Sequence, residues 1–189
     1  MQLTLQALKL NDEQFEQIVR ANPEWNFEQT AEGEIVIVPP TGGTSSNRNS
    51  SLTGQLNLWV EMNPRLGEDF DSNVLFVLPS GAKRSPDASW VRREAWDALS
   101  QKQQDGYVPL CPDFVVELRS PTDSLEELQA KMREYMDNGA LLGWLIDPLT
   151  RQVEIYRQRQ PQEVLQAPQN LSGEDVLPGF VLRLDRIWR

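Results

Sequence analysis

The chain is 189 residues long, 39% apolar and 24% charged, enough to bury a core without disulfide or metal staples, and it reads as one domain over residues 1–189. It contains no histidine, which removes Ser-His-Asp and Cys-His nucleophilic machinery, histidine general bases and His-rich zinc sites. The formal net charge of -10 argues against a broad basic footprint for nucleic acid, although a bound cation can supply positive charge where a protein is acidic. A single cysteine, Cys111, can neither close an intramolecular disulfide nor build a zinc site, in keeping with a reducing compartment. The longest apolar stretch, residues 140–146, falls far short of the roughly 20 residues a membrane span needs. The opening segment Met1-Gln2-Leu3-Thr4-Leu5-Gln6 lacks the pattern of a secretory leader, so the expected location is cytoplasmic, with no membrane association.

In chain order, Asn11 with Gln14 three places on, followed by Phe15, Ile18 and Val19, predicts a short capped helix that Pro23 stops. Residues 34–38 read as a β-branched strand, and Pro39-Pro40-Thr41-Gly42-Gly43 as a turn. From Ser46, Leu52, Leu56, Trp59 and Val60 recur at helical intervals until Asn63-Pro64, predicting a longer amphipathic helix. Residues 74–78 and 87–91 read as two strands, neighbours in one sheet joined as a hairpin around the Gly81 turn. Residues 92–104 predict a short helix or ordered loop, and residues 114–118 a strand. Ser124 and Glu127 then open a helix with Leu128, Met132 and Tyr135 along one face and Gly139 at its end. Residues 142–147 and 153–156 read as strands joined by a turn, with short final elements at 164–165 and 180–184. Helices flanking a central sheet give an α/β or α+β sandwich, with a strand–helix–strand unit over residues 113–147.

The chemistry concentrates in carboxylates. In the strand beginning at Pro112, alternation places Asp113, Val115, Glu117 and Arg119 on one face and Phe114, Val116 and Leu118 on the other. Acids on a central strand are costly unless paired or bound to metal. Asp87, at the mouth of another predicted strand, could converge with them. Two or three such carboxylates suit Mg2+ or Mn2+, which could activate water and stabilise a phosphoryl transition state. The accompanying cation would be Lys131, about 90° from the centre of its helix's apolar stripe and able to reach the sheet edge, or Arg119.

Ser85-Pro86-Asp87, Pro112-Asp113-Phe114-Val115-Val116-Glu117, Ser120-Pro121-Thr122-Asp123-Ser124 with Lys131 and Tyr135, Gly143-Trp144-Leu145-Ile146-Asp147-Pro148 and Val153-Glu154-Ile155-Tyr156 follow one another in the chain. In that order they resemble the Uma2 family (DUF820), restriction endonuclease-like proteins expanded in cyanobacteria. The resemblance runs from Gly33 to Phe180. It implies a PD-(D/E)xK core with a mixed sheet flanked by helices, in which Asp87 matches the first acid, Glu117 the second, and Asp113 is an additional acid of the same strand. It also implies a Mg2+- or Mn2+-dependent endonuclease acting on DNA. The sequence departs from the general motif two residues after Glu117, where Arg119 stands in place of lysine; arginine is a poor base, so the lysine role would pass to Lys131. A homodimer is expected because double-strand cutting suits two-fold symmetry.

Each of these residues also has a plainer explanation. Asp87 can be a turn residue, Asp113 a strand start, Glu117 and Arg119 a same-face ion pair, and Lys131 the surface partner of Glu127 four residues earlier. Trp59, Trp90 and Trp144 read as core, and Tyr135 as packing. The Gly42–Ser46 stretch resembles an anion-binding loop before a helix, yet turn-plus-cap chemistry accounts for it. The missing motif lysine and the acidic charge also suit a non-catalytic binding module on a nuclease-like fold.

Overall fold

The computed structural model describes residues 3–189; Met1 and Gln2, and with them the start of the segment bearing on a secretory leader, lie outside the described residues. Strand β1 (Leu3–Lys9), helix α1 (Asp12–Ala21), strand β2 (Asn26–Gln29) and strand β3 (Glu34–Val38) build most of a first, antiparallel sheet. Helix α1 starts where predicted because Asn11 and Gln14 each accept the other's backbone N–H, and it buries Phe15. Helix α2 (Gly43–Met62) begins three residues before Ser46 and buries Leu52, Leu56, Trp59 and Val60.

Strands β4 (Gly67–Asp71), β5 (Phe76–Val77), β6 (Lys83–Arg84) and β7 (Ala88–Arg92) follow. Here the predicted hairpin between residues 74–78 and 87–91 is corrected. The turn at Gly81, whose φ of 89° suits glycine, is closed by β5 and β6, which complete the first sheet in the order β1-β3-β2-β6-β5. Pro86 has no N–H for a ladder, so pairing stops there and β7 enters a different sheet.

Helices α3 (Arg93–Asp97) and α4 (Gln101–Gln104) precede strand β8 (Phe114–Leu118), helix α5 (Leu125–Asp137), and strands β9 (Leu142–Asp147), β10 (Gln152–Arg157) and β11 (Glu163–Gln166). The second sheet runs β11-β10-β9-β8-β7-β4 and is mixed: β8 and β9, joined through α5, are parallel, whereas its other pairs are antiparallel. Strands β12 (Asn170–Ser172) and β13 (Val181–Arg183) form a small ribbon.

The second sheet is covered on both faces. Phe114, Val116, Leu118 and Trp144 pack against α2, Trp59 and Trp90 join the same cluster, and Val115 and Leu145 pack with Leu128, Met132 and Tyr135 of α5. The face of β8 expected to be charged is therefore buried as well, and its acids must find partners inside. Gly143 permits this close packing: a Cβ there would stand 2.5 Å from Met132 Cε and 3.2 Å from Val115 Cγ2. A larger residue would lift α5 and the side chains it carries. Among the described residues no helix is long and apolar enough to cross a membrane.

Candidate active site at the end of strand β8

Four chain segments meet at the C-terminal end of β8, on the floor of a cleft of about 770 Å³ lined by Glu28, Asp87, Glu117 and Lys131. Strand β8 supplies Glu117, buried at 3% exposure. Helix α5 lays its apolar stripe on the sheet, which turns flanking Lys131 inward to 6% exposure. Its ammonium donates to Glu28 Oε1 at 2.8 Å and lies 2.9 Å from Glu117 Oε1. Tyr135, one turn later, keeps its ring in the core and donates its hydroxyl to Glu117 Oε1 at 3.1 Å.

The Ser85-Pro86-Asp87 segment joins the pieces. The Ser85 N–H donates to Glu28 Oε1 at 3.0 Å, and Asp87 accepts the Leu118 N–H at 2.7 Å and the Asn49 side-chain amide at 2.9 Å. Arg84 bonds both Glu28 and Glu134. Asp87, Glu117 and Lys131 of the predicted set are thus brought together, whereas Asp113 is not. It sits four residues back along β8, about 13 Å away. There it accepts the Arg92 N–H at 2.9 Å and lies 3.4 Å from the Arg92 side chain. Arg119 also turns elsewhere, pairing with Asp147 at 2.7 Å, and the cation of the cleft is Lys131. Lys131 is the buried partner of two acids rather than a surface partner of Glu127.

Glu28 is the member of the cluster that sequence reasoning missed. It lies on β2, a short strand of mostly polar residues whose burial depends on Lys131 and Arg84 from distant segments. The available signal was the alternation of Phe27 with its polar neighbours, too brief to distinguish a strand from a loop.

Electrostatics separates the acids. Burial raises the carboxyl of Glu28, but Lys131 and Arg84 outweigh it and hold the group below its ordinary value. Glu117 is pushed up to about 8: burial dominates, the charges of Asp87 and Glu28 add to it, and Lys131 offsets only part. Burial likewise raises Asp87. Arg84 is shared with Glu134, so the four carboxylates Glu28, Asp87, Glu117 and Glu134 face two cations, and the cluster is neutral only with protons or an added cation. Cys111 offers no competing nucleophile, because burial pushes its thiol up to about 12.

Among the described residues no group of three or more His, Cys, Asp or Glu could hold a metal alone. Asp87 and Glu117 could supply two carboxylates, which fits a hard divalent cation that completes its shell with water and substrate oxygens. Beside them, Asn49 Oδ1 is buried without a protein partner and its residue lines the same cleft, leaving an acceptor that a cation or its water would satisfy.

The Uma2 family model, described as "Putative restriction endonuclease", matches residues 12–185. A crystal structure described as that of "a putative nuclease belonging to DUF820", from Anabaena variabilis ATCC 29413, aligns with a TM-score of 0.73 and 22% identity. The alignment covers 87% of this chain and 90% of that one, and it shows a shared fold. No curated protein matches the chain significantly.

Proposed function

This chain belongs to the Uma2 family, and from that premise we propose that it is a divalent-metal-dependent endonuclease that hydrolyses DNA phosphodiester bonds at the Asp87–Glu117–Lys131 cluster. The observation that carries the reading is the convergence of three carboxylates on one cation in a cleft: buried Glu28 and Glu117 and half-buried Asp87 around buried Lys131, with Arg84 divided between Glu28 and Glu134. Such an arrangement is costly for stability and is a recurrent mark of functional sites.

In this reading Asp87 and Glu117 would hold Mg2+ or Mn2+, which would supply Lewis-acid polarisation of a phosphoryl oxygen. Lys131 contributes a fixed positive charge that would stabilise negative charge developing on the phosphoryl group. Glu28 anchors that ammonium, and Arg84 anchors Glu28, so the lysine is oriented before substrate arrives. The crowding of charge that pushes Glu117 up to about 8 without metal is what a bound divalent cation would relieve, so Glu117 serves as ligand. Tyr135 keeps the Glu117 carboxyl aligned. Asp113 is assigned a structural role at the far end of the strand.

Incubation of the purified protein with supercoiled plasmid and Mg2+ or Mn2+ tests this. Nicking is expected, suppressed by EDTA and lost in Glu117→Gln and Lys131→Met. Intact plasmid in the presence of protein that binds Mn2+ would overturn the proposal in favour of a non-catalytic module.

A further inference from the structure

Beside the cleft, the first turn of α2 opens onto a notch of about 320 Å³ lined by Gly43, Thr44, Asn47, Arg48, Arg186 and Arg189. Gly43 and Thr44 line the cleft too, so the two cavities are contiguous. Three arginines here stand out in a chain of net charge -10. Arg186 and Arg189 are exposed, and Asp185 is an exposed partner 3.9 Å from Arg189 Nη2, a distance and setting at which little charge is neutralised. Arg48 braces the corner by donating to the Arg189 carbonyl at 2.6 Å, while its Nε is buried with no protein acceptor.

The helix end in this notch is open. The N-cap is Gly42, with no side-chain hydrogen bond, and the first turn carries no acid. A Cβ added at Gly42 or Gly43 would meet nothing within 4 Å, so packing does not explain the two glycines. Exposed backbone N–H groups, the positive end of the helix dipole and three guanidinium groups therefore face one space.

We propose that this notch binds a backbone phosphate of the nucleic acid, next along the strand from the phosphodiester group in the cleft. The inference rests on the nuclease reading for its ligand class. It explains how an acidic protein holds a polyanion: positive charge is concentrated at one corner of the site instead of being spread over a face. The contact is to phosphate alone, so it positions the strand and carries no sequence preference.

The test is fluorescence anisotropy of a short labelled DNA duplex with the full chain, in EDTA and in Ca2+, over a series of KCl concentrations. The Arg186→Gln/Arg189→Gln double variant is expected to bind about fivefold more weakly near physiological salt. Its slope of log affinity against log salt should be shallower by about one. Restoring positive charge with Arg186→Lys/Arg189→Lys is expected to restore the slope, and both pairs should melt like wild type because the side chains are exposed. A double variant with unchanged affinity and slope overturns the notch, whether or not the wild type nicks plasmid. Arginine-dependent binding by a wild type that never nicks supports the notch and overturns the nuclease reading. Absence of any duplex binding by the wild type overturns both.

Discussion

A buried carboxylate lies at each end of strand β8, Asp113 immediately before it and Glu117 near its C-terminal end, and the two live in different surroundings. Asp113 accepts the backbone N–H of Arg92, and the Arg92 guanidinium lies beside it. Glu117 shares one lysine with Glu28, faces Asp87, and accepts a hydrogen bond from Tyr135. At the first end one acid meets one cation and a dipole, so burial is compensated. At the second end acids outnumber cations, and the carboxyl is pushed up to about 8. Placement on the same face thus yields one acid whose burial is compensated and one that is crowded by other acids, and the difference comes from neighbouring segments.

The sharpest way to break that comparison is Lys131→Met, which strips the common cation from Glu28 and Glu117. Breaking a buried pair from one side is expected to cost about 3–5 kcal/mol in urea or thermal unfolding at pH 8. The loss should shrink toward pH 5, where the orphaned carboxyls can take up protons; a variant as stable as wild type at both pH values would show that the lysine is not their partner.

The pH dependence of the metal-free wild type sharpens the same point. Folded Glu117 keeps its proton up to about 8, whereas in the unfolded chain the carboxyl releases it near its ordinary value of 4.5. Between those values the folded state binds the extra proton, so stability falls as pH rises, by on the order of a few kcal/mol. It is level below the window and above it. Glu117→Gln is expected to flatten this portion of the stability curve, and Mn2+ to raise the melting temperature more at pH 8 than at pH 5.5. A wild-type-minus-variant difference that does not change with pH would contradict the assignment.

Catalytically, Glu117→Gln is expected to slow plasmid nicking at least about a hundredfold, about 2.7 kcal/mol of barrier. Asp113→Asn, in contrast, should nick at close to the wild-type rate. The smallest effect is on stability at that far end, where Asp113→Asn is expected to cost about 1–2 kcal/mol by chemical denaturation. Loss of nicking in Asp113→Asn with stability intact would reverse the roles of the two ends.

Much of the fold is legible in the sequence. The reciprocal Asn11–Gln14 cap, the apolar runs of β8, β9 and β10, and the stripe of α5 are local signals that tertiary packing reinforced. Strands β2 and β4 were illegible because they are short and polar, and Glu28 became buried only through cations contributed from α5 and β6. The hairpin misjudgement has a similar source: two apolar runs flanking a glycine turn fit one ribbon, and periodicity does not tell which sheet a strand joins.

The sequence by itself determined the carboxylate chemistry, the absence of histidine, the family and the position of Lys131 on the flank of its helix. Only the tertiary structure decided which acids meet. Alternation along β8 made Asp113 and Glu117 equivalent, and Lys131 and Arg119 both stood as candidate cations. Packing of α5 over Gly143 brought Lys131 to Glu117 and Glu28, while Arg119 went to Asp147 and Arg92 to Asp113. Charge pairing in a buried site is settled over a few ångströms between segments far apart in the chain, and one-dimensional spacing holds no record of that distance.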